Sequence, residues 1–329
     1  MEHPFAKYIQ ILGKGKRGAR DLTKEEAHHA MSMILSRQVE PVQLGAFLML
    51  MRVKEESAEE VAGFTQAARE VIMRPALPTG VDLDWASYAG KRRQLPWYLL
   101  SALLLASHHI SVLMHGIGEG SEGRIYIPQA LHSLGLKSAD SLEEASAQIS
   151  QSNFAFIPLS ALNSDLDRML NLKSLLGLRS PIHTVVRMLN PLNAATSFMG
   201  IFHPGYDETH QRAAGLLGDT NLAVFKGEGG EAERNPDAVC TIRFLLEGAA
   251  QEEEWSALFS TKHLKDDAMD VSKLGKVWHN KAEDEYGKAS ILGTTAIALR
   301  AMGLASSPVD AETKAANLWH TRNLAYLKD

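Results

Sequence analysis

A single cysteine, Cys240, stands among 329 residues. This excludes an intramolecular disulfide and a cysteine-rich zinc site, and it favours a reducing compartment. No apolar run reaches the length that crosses a bilayer, and no N-terminal stretch has the basic, apolar and small-residue zones of a signal peptide. The expectation is a cytoplasmic protein without a membrane partner. A Gly-x-Ser-x-Gly elbow, a Walker-type loop and a His-Glu-x-x-His helix are also missing. The commonest hydrolase, nucleotidase and zinc-protease signatures are therefore excluded. Nor is there a general excess of positive charge: the net charge is -5, so a polyanion would have to be held by a local patch.

Such a patch opens the chain. Lys7, Lys14, Lys16, Arg17 and Arg20 face Glu2 alone across the first twenty residues, while the acids cluster far away at 228–233, 252–254 and 266–270. Hydrophobic and charged contents of 45% and 22% are ordinary globular values, and the length suits two domains or one large α/β unit. Pro4 followed by Phe5, Tyr8, Ile9 and Leu12 predicts a first helix stopped at Gly13. Thr23 with Glu26, and Ser57 with Glu60, read as capping boxes for two more. Between them Pro41 opens a helix that is apolar nearly all round from Leu44 to Met51. After Pro75, Pro78 and Gly80, β-rich runs at 111–115, 153–158, 197–202, 222–226 and 239–245 alternate with helical stretches. That alternation predicts a mainly parallel sheet covered on both faces. Two helical stretches, 161–176 and 181–189, interrupt it without a strand between them.

The stretch from Asp82 to Arg124 organises the rest. A short strand ending near Trp85 hands over to a hydrophobic helix from Pro96 to about Ser107, through a loop carrying Lys91, Arg92 and Arg93. In open α/β sheets ligands bind at such a handover, where helix N-termini offer unpaired N–H groups to anions. Tyr88, Trp97 and Tyr98 flank the triplet, and aromatic faces beside cations suit stacking on single-stranded nucleic acid; for Trp97, core packing is the competing reading. Gly118 to Gly123 has dinucleotide-fingerprint spacing, but a diphosphate there would meet Glu119 and Glu122. The glycine-rich Lys226 to Glu231 could cradle an anion, place carboxylates near a metal, or form an acidic surface turn. The adjacent pairs His28-His29 and His108-His109 cannot share one helix face and read as structural.

With these elements in view, and with His115-Gly116 at a strand end and Arg179-Ser180-Pro181-Ile182-His183-Thr184 leading to Leu189-Asn190-Pro191-Leu192-Asn193, the chain resembles the anthranilate phosphoribosyltransferase family over nearly its whole length. It is most similar to the YbiB-like branch, in which Gly-Lys-Arg-Arg-Gln-Leu-Pro-Trp, here Gly90 to Trp97, replaces the glycine-rich loop of the enzymes. The resemblance implies a nucleoside phosphorylase/phosphoribosyltransferase-like α/β fold. It divides into a helical dimerisation domain, 1–76 with 161–192 packing back, and an α/β domain of 77–160 and 193–329. It also implies a homodimer through the helical domain, with Leu44 to Met51 fitting that role.

The departures from the enzyme pattern shape the functional expectation. Ser87-Tyr88-Ala89-Gly90-Lys91 stands where the enzymes have Gly-Thr-Gly-Gly-Asp, Met114-His115-Gly116-Ile117 where they have Lys-His-Gly-Asn, and Ala232-Glu233 where they have the metal-binding Asp-Glu. No cofactor is expected, and magnesium only under the transferase alternative. The expected function is binding of DNA or RNA, single-stranded and with little sequence preference. Lys14, Lys16, Arg17, Arg20, Tyr88, Lys91, Arg92, Arg93, Trp97, Lys173, Arg179 and Arg187 would form the nucleic-acid surface; Gly90, Lys91, Arg92, Arg93, His115 and Gly116 would form a phosphate site. The rival is a glycosyl or phosphoribosyl transferase in which Lys91 to Arg93 hold a phosphorylated sugar and Glu231 or Glu233 holds magnesium. A protein-interaction scaffold is the third possibility.

Overall fold

In the computed structural model of the chain, residues 2–15, 17–75, 80–120, 122–264 and 268–328 are described; Lys16, Pro78, Ser121 and Asp266 lie outside them. Four helices lead: α1 (Ala6–Gly13), α2 (Lys24–Leu35), α3 (Pro41–Lys54) and α4 (Ala58–Glu70). Both capping boxes form, with the Thr23 and Ser57 hydroxyls accepting from the Glu26 and Glu60 N–H groups. Glu60 also carries a second load. Its buried carboxylate accepts from the Leu22 N–H at 2.8 Å and pairs with Lys54 at 2.7 Å, which ties the entry of α2 to the end of α3. A Cβ on Gly63 would lie 2.2 Å from the Lys24 carbonyl oxygen, so only glycine lets α4 approach α2 this closely. Leu44, Phe47, Leu48 and Met51 of α3 are buried in the protomer's own core. This corrects the dimer role expected for them: an amphipathic bundle consumes that face, and α3 leaves only Val42 and Val53 strongly exposed among its large apolar residues.

Seven strands follow: β1 (Leu83–Ser87), β2 (Val112–Gly116), β3 (Phe154–Pro158), β4 (Thr196–Ile201), β5 (Asn221–Lys226), β6 (Cys240–Leu246) and β7 (Ala249–Trp255). They form one sheet in the order β3-β2-β1-β4-β5-β6-β7. Its β3 to β5 part is parallel, and the β6–β7 hairpin is antiparallel. Glu247 and Gly248, at φ 52° and 82°, make the two-residue turn of that hairpin. Period-two alternation splits each strand between two cores. Leu83, Trp85, Val112 and Met114 face the apolar helix α5 (Trp97–Ser107), whereas Ala86 and Leu113 face the side that carries the helical bundle. The mainly parallel sheet covered on both faces is thus present.

The 161–189 region is shorter-stepped than its apolar pattern predicts. It breaks into helices Leu159–Leu162, Ser164–Asn171, Lys173–Leu176 and Ile182–Val185, with Gly177 at φ 74° between the last two. These turns contact the bundle through Arg37–Asp165 (3.2 Å) and through Arg69, which donates to the Met188 carbonyl at 2.9 Å. The strand order reverses between β1 and β4, and the crevice beyond their C-terminal ends is where such sheets hold ligands. Among the described residues no helix is long and apolar enough to cross a membrane.

Candidate functional site

The loop after β1 enters that crevice with its anion-seeking groups already occupied. Oε1 of Glu231 accepts from the Ala89 N–H at 2.7 Å and the Gly90 N–H at 2.5 Å. Glu233 accepts from the Lys91 ammonium at 2.5 Å through Oε1, and from the Tyr98 N–H in the first turn of α5 at 2.9 Å through Oε2. The successive N–H groups and helix start that would receive a phosphate are filled by two carboxylates of the chain itself. The crowded backbone enforces this. Gly90 takes φ 69° against the Tyr126 ring, and a Cβ on Gly227 would lie 1.6 Å from the Glu231 carbonyl oxygen. Burial pushes the Glu233 carboxyl up to about 7 against the pull of Lys91. A magnesium ion does not fit here: the Lys91 ammonium and three N–H donors take three of the four carboxylate oxygens, and the fourth, Oε2 of Glu231, is a single buried oxygen where magnesium needs several. Among the described residues no group of three or more His, Cys, Asp or Glu side chains could hold a metal.

Several expected contacts are corrected by burial. Lys91 is 1% exposed and ion-paired, so it presents no charge to a phosphate. Trp97 is 0% exposed with Gly287 against its ring, and it is core. Tyr88 is buried too. Its hydroxyl meets Nδ1 of His115 at 2.7 Å, and Nε2 of His115 lies 3.3 Å from Asp84, so neither ring is free to stack or to hold an anion. Gly116 serves packing: a Cβ there would lie 1.9 Å from the Ser87 oxygen. Arg187 is buried, with Nε on the Gly200 carbonyl at 3.2 Å and Nη1 on the His183 carbonyl. Burial chiefly lowers it to about 10. Arg92 and Arg93 remain exposed on the loop.

Among the described residues of the basic N-terminal segment, none lines the cavities of the crevice. Lys14, Arg17 and Arg20 are exposed, and Arg20 pairs with Glu26 at 2.6 Å. The segment lies against Leu50, which faces Gly13, and Lys54, which pairs with Asp21 at 2.6 Å. Positions 50 and 54 share one face of α3, and position 52 lies on the opposite one. It is Arg52 that lines the crevice.

What the structure does bring together is a cationic cleft between bundle and sheet. Arg124, Lys173 and Arg179 line one cavity of it with Tyr88, Tyr126 and Asn171. Arg124 donates to the Ala89 and Gly90 carbonyls at 2.9 and 3.1 Å, and among the described residues no carboxylate pairs with it. Lys173 is exposed. Arg179 is half-buried and has no hydrogen bond or ion pair among the described residues; desolvation and then its neighbour Arg124 lower its proton affinity. Burial, with Arg187 and Arg179, drives His183 down to about 3, so this ring stays neutral. Glu119 is the acid on this cavity's wall. Sequence reasoning found Lys173 and Arg179 but missed Arg52 and Arg124, which are single cations on separate elements with no local motif around them.

Residues 6–71 match the glycosyl transferase family, helical bundle domain. The chain is 26% identical over 245 residues to the uncharacterized protein YbiB of Escherichia coli, covering 73% of this chain and 76% of that one. It is 27% identical over 239 residues to an anthranilate phosphoribosyltransferase of Methylobacterium nodulans, covering 72% and 70%. The crystal structure of anthranilate phosphoribosyltransferase from Thermus thermophilus superposes with a TM-score of 0.80 at 18% identity, over 97% of this chain and 94% of that one. The resemblance read from the sequence therefore stands, and the fold is that of the anthranilate phosphoribosyltransferases.

Proposed function

We propose that this chain, built on the anthranilate phosphoribosyltransferase fold, binds nucleic acid: it holds single-stranded DNA or RNA, with little sequence preference, along the cleft between bundle and sheet. The observation that carries this reading is Arg179, a half-buried guanidinium with no carboxylate partner among the described residues, set where Arg124 and Arg52 repel it. Holding like charges together in a partly desolvated cleft costs free energy unless an anion joins them. A polyphosphate backbone supplies such anions at regular spacing. Arg92, Arg93 and Lys173, all exposed, extend the contact surface in this reading. The filled nest at Ala89 and Gly90 argues against phosphoribosyl transfer, since Glu231 sits where a diphosphate would have to go. A homodimer through the helical region is part of the proposal, supported by Val42, Val53 and Leu175, each more than three-quarters exposed there.

The test is fluorescence anisotropy of a labelled mixed-sequence oligonucleotide across a salt series, run beside thermal shifts with phosphoribosyl pyrophosphate and magnesium. Binding that weakens linearly in log salt, with no shift by the sugar diphosphate, is the expected result. No binding at low salt, or magnesium-dependent stabilisation by the sugar diphosphate, would overturn it.

A further inference from the structure

Residues 256–264, which follow β7, cross the surface as a strap with neither helix nor strand. The strap is bound to the stretch 235–238 in two places. The Leu258 and Phe259 N–H groups donate to the Pro236 carbonyl at 2.8 and 3.2 Å. The Asp237 carboxylate accepts from residue 263 twice, from the His263 N–H at 2.8 Å and from its Nδ1 at 2.7 Å. The ring is edge-on to Phe259 at 4.4 Å and to Tyr286 at 5.7 Å. Its Nε2 lies 3.9 Å from the Glu285 carboxylate, at the start of the helix Glu285–Ala301. An ionised carboxylate only accepts, so Nδ1 carries a proton; a second proton, on Nε2, makes the ring a cation that attracts Glu285.

What the strap holds gives the contact its interest. Asp237 ends a run of hydrogen bonds that leads to the loop after β1. Its N–H donates to Asn235 Oδ1 at 2.9 Å, Asn235 donates to Glu228 Oε2 at 3.2 Å, and the Glu228 carbonyl accepts from the Lys91 ammonium at 3.4 Å. The strap also reaches that loop directly, where Gln94 donates to the Leu264 carbonyl at 3.5 Å. Arg92 and Arg93, both exposed, lie between these two anchor points. The charges that face the His263 ring are Asp237 from the turn and Glu285 from the helix; Lys262 is its neighbour on the strap, and Asp284, next to Glu285, is taken up by Lys273 at 2.5 Å. The hydrogen bond to Asp237 raises the ring above its ordinary 6.5 against desolvation, and the charges of Asp237 and Glu285 add to the rise. The charged grip is therefore complete below 6.5 and is lost as pH rises through the folded value.

We propose that the strap is a pH-sensitive clasp: a charged His263, gripping Asp237 and facing Glu285, holds the stretch 228–237 and with it the Lys91 to Gln94 turn, and the neutral ring lets the strap loosen. The neutral ring keeps its Nδ1 bond to Asp237 but forfeits the charge on that bond and the attraction to Glu285. Arg92 and Arg93 are then presented less firmly. The clasp stands apart from the nucleic-acid reading; only its effect on binding rests on that reading.

The test is hydrogen exchange on the full chain without ligand, read as the protection of the Leu258, Phe259 and His263 amides on either side of an NMR-monitored titration of the His263 ring. Wild-type protection should fall roughly two- to fivefold as the ring loses its charge, the scale of an exposed ion pair. His263→Gln should keep the lower value at every pH, and Glu285→Gln, a change at an exposed side chain, should move the fall to lower pH. Protection that is flat through the ring's titration, or an equal pH dependence in His263→Gln, would overturn the clasp. The link to the site loop is read with a labelled single strand, whose affinity should fall over the same window at unchanged salt slope. A slope that becomes shallower by about 0.7 would make His263 itself a phosphate contact and overturn the coupling. Protection that follows the ring while no strand binds at any pH would overturn the nucleic-acid reading and leave the clasp in place.

Discussion

Replacing Glu231 with alanine removes the carboxylate that satisfies the Ala89 and Gly90 N–H groups together. Each buried donor left unpaired costs about 1–3 kcal/mol, so the gross penalty is about 2–6 kcal/mol. Part is returned, because Oε2 of the same carboxylate is buried without a partner in the wild type and its removal relieves that desolvation. The net loss expected in urea unfolding is about 1–3 kcal/mol. The diagnostic step is rescue. Inorganic pyrophosphate should re-fill the emptied nest, and at ten times its dissociation constant it would restore about 1.4 kcal/mol. The wild type, already filled, should gain much less. Equal stabilisation of wild type and Glu231→Ala by pyrophosphate would refute the view that the chain occupies its own diphosphate position.

Two further outcomes follow from the same geometry. Lys91→Ala leaves the Glu233 carboxyl fully buried without its cation and should cost about 3–5 kcal/mol in chemical denaturation; Lys91→Met combined with Glu233→Leu should recover much of the loss. On pH, His210 falls from 6.5 to about 4 in the folded chain, so its stabilising effect is complete above 6.5 and is lost as pH falls toward 4, by about 3 kcal/mol. Glu233 is raised from 4.5 to about 7, so its effect is complete below 4.5 and is lost as pH rises through 7. The two slopes oppose over nearly the same window. A Glu233→Gln variant should therefore lose stability steeply between pH 6.5 and 4, and a His210→Leu variant should lose it on going up instead; urea titrations at stepped pH read both.

Local signals carried much of the architecture. The Thr23 and Ser57 capping boxes and the strand-to-helix handover at Trp85 to Trp97 are each written in a few adjacent residues, and they formed where expected. Strand β7 was not legible, because Ala249 to Trp255 is an acidic edge strand exposed over most of its length, with no alternation to betray it. The site failed for a different reason. Lys91 reads as the first of three surface cations, but its partner Glu233 lies 142 residues away, and nothing near either residue announces the pairing. Arg52, Arg124 and Arg179 come from three elements that only the packing of bundle on sheet brings into one cleft. The triplet lies on the loop that enters the crevice, yet the cations that line the cleft are mostly other residues.

The most direct measurement of the central claim is the log-affinity against log-salt slope for a labelled single strand, taken for the wild type and for the chain with Arg124, Lys173 and Arg179 all changed to alanine. Each phosphate released from a cation should reduce the slope by about 0.7, so the account expects it to become shallower by about 2, with affinity lost at every salt concentration. An unchanged slope and affinity would contradict the cleft as the nucleic-acid surface.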